Sequence, residues 1–144
     1  MQKVALPYFA FGSNMLFERI KKRIPRVKKL GVGKLEGYLF LFNKISKDGS
    51  GKGNILPNKS HYVLGVLYEI GEDEFLILDR YEGGYKRELV NIFTEGKTIE
   101  AITYISDKNK YGLKPNQDYF ELVIKGAEEN SFEQEYIYYL QSLQ

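Results

Sequence analysis

The chain has no cysteine and no tryptophan, and only one histidine, His61, and four prolines among its 144 residues. Without cysteine, disulfides, thiolate zinc sites and cysteine nucleophiles are excluded, and one histidine cannot build a histidine metal cluster. Acid–base chemistry therefore has to rest on carboxylates, tyrosines or lysines. No apolar run approaches the roughly 20 residues of a bilayer-spanning helix. The N-terminus also lacks the charged, apolar, small-residue layout of a signal peptide, so the expectation is a cytoplasmic protein with no membrane partner. Charge of one sign is scarce too: 21 basic against 19 acidic residues leave +2, too little to indicate a nucleic-acid partner. The basic residues do cluster at Lys21, Lys22, Arg23, Arg26, Lys28, Lys29 and Lys34. With no interleaved aromatics, that run reads as a solvated helix face and its exit. At this length a single domain, residues 1–144, is expected to bury its core without staples, as a monomer or homodimer.

What the chain has in quantity is aromatic side chains, 12 Tyr and 9 Phe, set in segments of strand character. Lys3 to Phe11 reads as a first strand, and a helix from Met15 to about Ile24 should end before Pro25, which disfavours helical geometry in the residue preceding it. Lys28 to Lys44 is extended, apolar on both faces in its second part, as in a strand that lines a closed barrel. Ser46 to Ser60, rich in glycine, reads as a loop. It fails the phosphate-binding P-loop pattern, because Gly53 stands after Lys52 where Ser or Thr is needed and Ser46 where glycine is needed. Gly31, Gly33 and Gly37 miss the dinucleotide fingerprint by one residue.

Tyr62 to Ile70 is the next strand, and Gly71-Glu72-Asp73 opens a short helix with Phe75, Leu76 and Leu78 as its buried stripe. Gly83 and Gly84 should terminate it. Tyr85 to Phe93 and Thr98 to Ile105 flank Glu95-Gly96-Lys97 as an antiparallel hairpin. A helix from about Asn116 to Glu129 presents Tyr119, Leu122, Val123, Gly126 and Ala127 on one face. Ser131 with Gln134 suggests a capping box for a last helix carrying Tyr136, Ile137, Leu140 and Leu143. Five or six mostly antiparallel strands with three or four short helices make an α+β domain with a small, barrel-like sheet.

Two stretches carry candidate chemistry. Tyr8-Phe9-Ala10-Phe11 reads as buried strand and breaks at Gly12-Ser13-Asn14 into a helix start. Such a turn either caps its helix through Ser13 or Asn14 or offers free N–H groups to a carboxylate or phosphate. Glu82 lies between Tyr81 and Tyr85, ahead of a glycine pair, where a helix gives way to a strand. It is either a carboxylate among aromatics, with its pKa raised toward neutrality for proton transfer, or an exposed residue paired with Arg80, Lys86 or Arg87.

These stretches and their order resemble the γ-glutamylcyclotransferase family, including its AIG2-like and butirosin-pathway relatives. Phe9-Ala10-Phe11-Gly12-Ser13-Asn14-Met15 is similar to the family's Tyr-Gly-Ser-Asn loop, and Gly53-Asn54-Ile55-Leu56-Pro57 to its central glycine-rich segment. Leu78-Asp79-Arg80-Tyr81-Glu82-Gly83 is similar to its catalytic Glu-Gly motif, and Tyr119 with Gly126-Ala127-Glu128-Glu129-Asn130 to its C-terminal helix. The resemblance implies a mixed β-barrel of five or six strands with a few short helices. It implies a cofactor-independent enzyme acting on a small γ-glutamyl compound, whose α-amine attacks its own γ-carbonyl to release 5-oxoproline and an amino acid or amine. Glu82 is then the general base and acid, and Phe11, Gly12, Ser13, Asn14, Met15, Tyr85 and Tyr119 contact the substrate. The same fold acting on another γ-glutamyl or acylated intermediate, or a non-catalytic module that binds a small carboxylate, are the alternatives. Two departures stand out: Phe11 occupies the place of the usual Tyr, and Tyr85 follows Glu82 at short spacing.

Overall fold

The computed structural model describes residues 6–144, so the expected strand residues Lys3, Val4 and Ala5 lie outside the described residues. Five strands close into a mixed barrel in the order β1-β3-β2-β4-β5, with β1 spanning Tyr8–Ala10, β2 Lys28–Ile45, β3 Gly51–Glu69, β4 Lys86–Thr94 and β5 Lys97–Ile105. Every pairing is antiparallel except the closure, where β1 lies parallel to β5 at Tyr8 and Ile102. Four α-helices cover the barrel: α1 at Phe17–Arg23, α2 at Glu72–Tyr81, α3 at Gln117–Glu129 and α4 at Gln134–Ser142. The architecture is α+β, as the resemblance implied.

The expected loop over residues 46–60 is the main correction. Only the tight turn around Asp48-Gly49 is irregular, and β3 begins at Gly51. The glycines there answer to crowding and not to flexibility: a Cβ on Gly53 would stand 2.8 Å from the Phe40 ring. Long strands of 18 and 19 residues cannot stay straight around a small barrel. Register shifts near Gly31, Tyr38 and Lys44 supply the bends.

The core forms one connected cluster in which Phe9, Phe40, Ile55, Val66, Tyr68 and Leu78 are fully enclosed. Each such side chain contributes roughly 1.5–3 kcal/mol of burial free energy. The α2 stripe needs a correction, since Phe75 and Leu78 are buried but Leu76 is 60% exposed. The expected capping box at Ser131 is also absent: Ser131 has φ +55°, and Glu133 is the cap residue of α4, without a side-chain hydrogen bond. The expected hairpin is present, and Glu95 and Gly96 both have positive φ at its tip, the backbone of a type I′ turn.

The segment that links barrel to first helix is held by packing on both sides. The backbone after β1 enters a single 3-10 turn, Ser13–Met15, before α1. Helix α3 presses on that turn at Gly126, where a Cβ would stand 2.8 Å from Met15 Cβ. The turn is thus wedged between barrel and helix.

Candidate active site

The Gly12–Asn14 turn opens into a cleft of about 490 Å³ at one end of the barrel. Its wall on this side is fixed from behind: the Tyr68 hydroxyl donates to the Asn14 carbonyl at 2.8 Å and the Met15 carbonyl at 3.1 Å. Asn130 Nδ2 donates to the Met15 carbonyl at 3.0 Å. The Met15 N–H donates to the Gly12 carbonyl at 3.1 Å. The Ser13 and Asn14 N–H groups, at the start of the turn, have no intrahelical acceptor.

Glu82 arrives from the other side of the sequence. It is the C-cap of α2, its N–H donating to the Leu78 carbonyl at 3.0 Å, and its own carbonyl accepting from the Tyr85 N–H at 3.0 Å. Gly84, at φ +87°, makes that four-residue turn possible. The short spacing from Glu82 to Tyr85 therefore closes a tight turn. Nearby, Asp79 ties α2 to β4, accepting from Arg87 Nε at 2.8 Å and Nη2 at 2.6 Å, and from the Tyr104 hydroxyl at 2.6 Å.

The two stretches meet through Asn14. Its Nδ2 donates to Glu82 Oε1 at 3.4 Å and to the Tyr8 hydroxyl at 3.2 Å, while its Oδ1 accepts from Arg23 Nη1 at 3.2 Å. Glu82 forms none of the sequence-suggested ion pairs. Arg87 is engaged with Asp79 and Lys86 with Asp107, and Arg80 is exposed. Burial raises the pKa of the Glu82 carboxyl, against the opposing pull of Arg23, Lys52, Arg19 and Lys44. Its place at the carbonyl end of α2 acts in the same direction as burial.

The tyrosines around it stay protonated near neutrality. Burial lifts Tyr119 to about 12, and burial lifts Tyr8 and Tyr85 too, with the charge of Glu82 adding to both. They serve as hydrogen-bonding hydroxyls, and Glu82 is the group placed to exchange protons. Tyr85 donates to the Gly53 carbonyl at 2.7 Å and Tyr119 accepts from the Gly53 N–H at 3.0 Å. The pair grips one residue of β3 from both sides.

Of the residues expected from sequence, the cleft brings together Phe11, Gly12, Ser13, Asn14, Glu82, Tyr85 and Tyr119. Met15 is not among them: its side chain is fully buried and its N–H is spent within the turn. Phe11 contributes a ring packed edge-to-face on Phe40 at 6.1 Å.

Sequence reasoning missed Tyr8, which brings a hydroxyl to the site, and the cations Arg19, Lys44 and Lys52; it also misplaced Arg23, which points inward to Asn14 and stacks on Tyr81 at 4.6 Å. The spacing of Arg19 and Arg23, four apart on a helix and so on one face, was the available signal. Arg19 Nε donates to Ser13 Oγ at 2.9 Å.

A profile of the AIG2-like family matches residues 62–140. γ-Glutamylcyclotransferases of Mus musculus and Homo sapiens are each 30% identical over 139 residues, covering 90% of this chain and 73% of theirs. The chain belongs to this AIG2-like, γ-glutamylcyclotransferase family. Solved structures agree: that of a γ-glutamyl cyclotransferase superposes with a TM-score of 0.89 at 28% identity, over 96% of this chain and 88% of that one. YkqA from Bacillus subtilis shares the fold, with a TM-score of 0.84 at 23% identity, over 97% of this chain and 54% of that one. Among the described residues no helix is long and apolar enough to cross a membrane, and no group of acidic residues and His61 could hold a metal ion.

Proposed function

We propose that the protein is a cyclotransferase that converts a γ-glutamyl amino acid or amine into 5-oxoproline and the free amine. The observation that carries this reading is the junction at Asn14, which holds Glu82, a carboxylate whose pKa burial raises, against a turn whose Ser13 and Asn14 N–H groups have no intrahelical acceptor. The N–H groups of Ser13 and Asn14 at the start of the turn, with Arg19 and Arg23 lining the same cleft, suit the α-carboxylate of the glutamyl portion. Ionised Glu82 takes a proton from the substrate's α-ammonium. The freed nitrogen attacks the γ-carbonyl carbon, closing a five-membered ring and forming a tetrahedral oxyanion. Collapse of that oxyanion breaks the bond to the leaving nitrogen as Glu82 returns the first proton to it, and the second proton that the ring nitrogen sheds follows through the same carboxylate, so that the amine departs as an ammonium. Atoms and charge balance within one substrate molecule and one carboxyl group.

Because nucleophile and electrophile are already joined, the protein's part is to fold the substrate into an attacking geometry and to move protons. A base for this step works best when its pKa approaches the operating pH, and the partial burial of Glu82 pushes in that direction. The direct test is to incubate the protein with γ-glutamyl-alanine and follow 5-oxoproline by mass spectrometry beside a Glu82→Gln variant. Release by the parent and its near-loss in the variant are expected. Equal release by both sinks the mechanism.

A further inference from the structure

Among the six basic residues that line the cleft, two pairs are set by neighbouring elements. Arg19 and Arg23 each donate one hydrogen bond to the turn, to Ser13 and Asn14. Lys44 and Lys52 stand on the barrel side, where they are direct cross-strand partners of β2 and β3. Like charges directly opposite each other in a sheet are destabilising. Among the described residues neither lysine makes an ion pair that would offset this.

Their placement is nonetheless built. Lys44 Nζ lies 5.3 Å from the centroid of the Tyr85 ring and Lys52 Nζ 5.2 Å from that of Tyr119. These are the same two tyrosines that grip Gly53. The stem of Lys44 runs against Gly84, where a Cβ would stand 2.8 Å from Lys44 Cε. The one carboxylate that lines this wall, Asp48, is occupied by donors from Ser46, Ser50 and Asn116. Burial, together with Lys52 and Lys108, lowers the proton affinity of Lys44, and the charge of Glu82 offsets this only in part.

We infer that Lys44 and Lys52 form the subsite for an anionic leaving group, so that the preferred substrates are γ-glutamyl compounds whose departing amine is an acidic amino acid. The inference rests on the cyclotransferase reading and adds a charge rule to it. With the turn-side arginines answering the glutamyl α-carboxylate, a neutral leaving amino acid offers the lysines one carboxylate and an acidic one offers two. A simple amine offers none and leaves the lysines facing each other. Catalytic efficiency should therefore fall in the order γ-glutamyl-glutamate, γ-glutamyl-alanine, γ-glutamyl-ethylamide.

The test measures kcat/KM for these three compounds in the parent and in Lys44→Met, Lys52→Met and Lys52→Glu. Alongside it, calorimetry measures their affinity for a Glu82→Gln protein, which does not depend on turnover. The parent should prefer the acidic over the ethylamide compound by roughly 100-fold, about tenfold for each charge-assisted contact. Each methionine variant should narrow that ratio roughly tenfold, and Lys52→Glu should reverse the order. Turnover with charge-independent affinities overturns the lysine subsite and leaves the cyclotransferase reading standing. Charge-ordered binding without any 5-oxoproline release does the opposite. Absence of binding by all three compounds overturns both.

Discussion

The two walls of the cleft are built on different principles. The turn wall is backbone, clamped from behind by Tyr68, Asn130 and the close approach of α3 at Gly126. The lysine wall is side chain, two flexible cations resting on aromatic rings. A wall of clamped backbone suits the part of the substrate that every turnover shares, the glutamyl group. A wall of long side chains changes by single substitutions without disturbing the barrel, which suits the part that differs between substrates. Glu82 stands between them, tied to the turn through Asn14 and set over the lysine wall by the same turn that delivers Tyr85.

Breaking the link between the walls should have the largest effect. Glu82→Gln is expected to reduce kcat by about 10²–10⁴-fold, the usual contribution of a positioned acid–base group. Its stability should move the other way. Burial raises the folded-state pKa of Glu82, so the ionised form opposes folding, and that stability is present at low pH and lost as pH rises through the folded pKa. The variant should melt above the parent at neutral pH, with the difference shrinking on acidification, as thermal scans across pH would show.

Next in size is Asn14→Ala, which strips partners from Tyr8, Glu82 and Arg23 at once. Roughly 10–100-fold loss of kcat/KM is expected, in line with about 1.5–3 kcal/mol for hydrogen bonds to charged groups. Tyr68→Phe attacks the turn wall from behind. Loss of the donor to two buried carbonyls should lower unfolding free energy by about 1–3 kcal/mol, read by urea denaturation, while leaving the preference among leaving groups unmoved. That contrast separates the walls, because the lysine variants should change preference without lowering stability.

The smallest effect is expected for Asp79→Asn. Hydrogen bonding by Arg87 holds the Asp79 pKa below its usual value. The pair is over a third exposed on both sides, so its contribution is about 0.2–1 kcal/mol. That contribution is present above the unfolded carboxylate pKa and is lost as pH falls through the lower folded one.

The difference between the walls also explains what the sequence disclosed. Gly12-Ser13-Asn14 is contiguous, and its strand-to-turn-to-helix change is visible in five or six letters. Glu82 was conspicuous because a glycine pair and tyrosines surround it. The barrel's hairpin and helices are legible from alternation and spacing. Lys44 and Lys52 meet only through the β2–β3 register, and the glycines of residues 46–60 masked the start of β3 as a loop. Glycine there reflects contact with Phe40 and Tyr119, a tertiary cause that no local pattern carries. Arg23 was hidden differently, since a run of basic residues reads as solvent-facing and only the fold turns one of them inward. Met15 shows the converse, a motif residue whose place is structural.

The central claim, that a partly buried Glu82 is the base for ring closure, is tested most directly by the pH dependence of kcat/KM for γ-glutamyl-alanine cyclisation. Its acid limb should bend at a pKa above the ordinary glutamate value, because burial favours the protonated carboxyl. That limb should vanish from the residual activity of Glu82→Gln. An acid limb that persists unchanged in the variant would contradict the account.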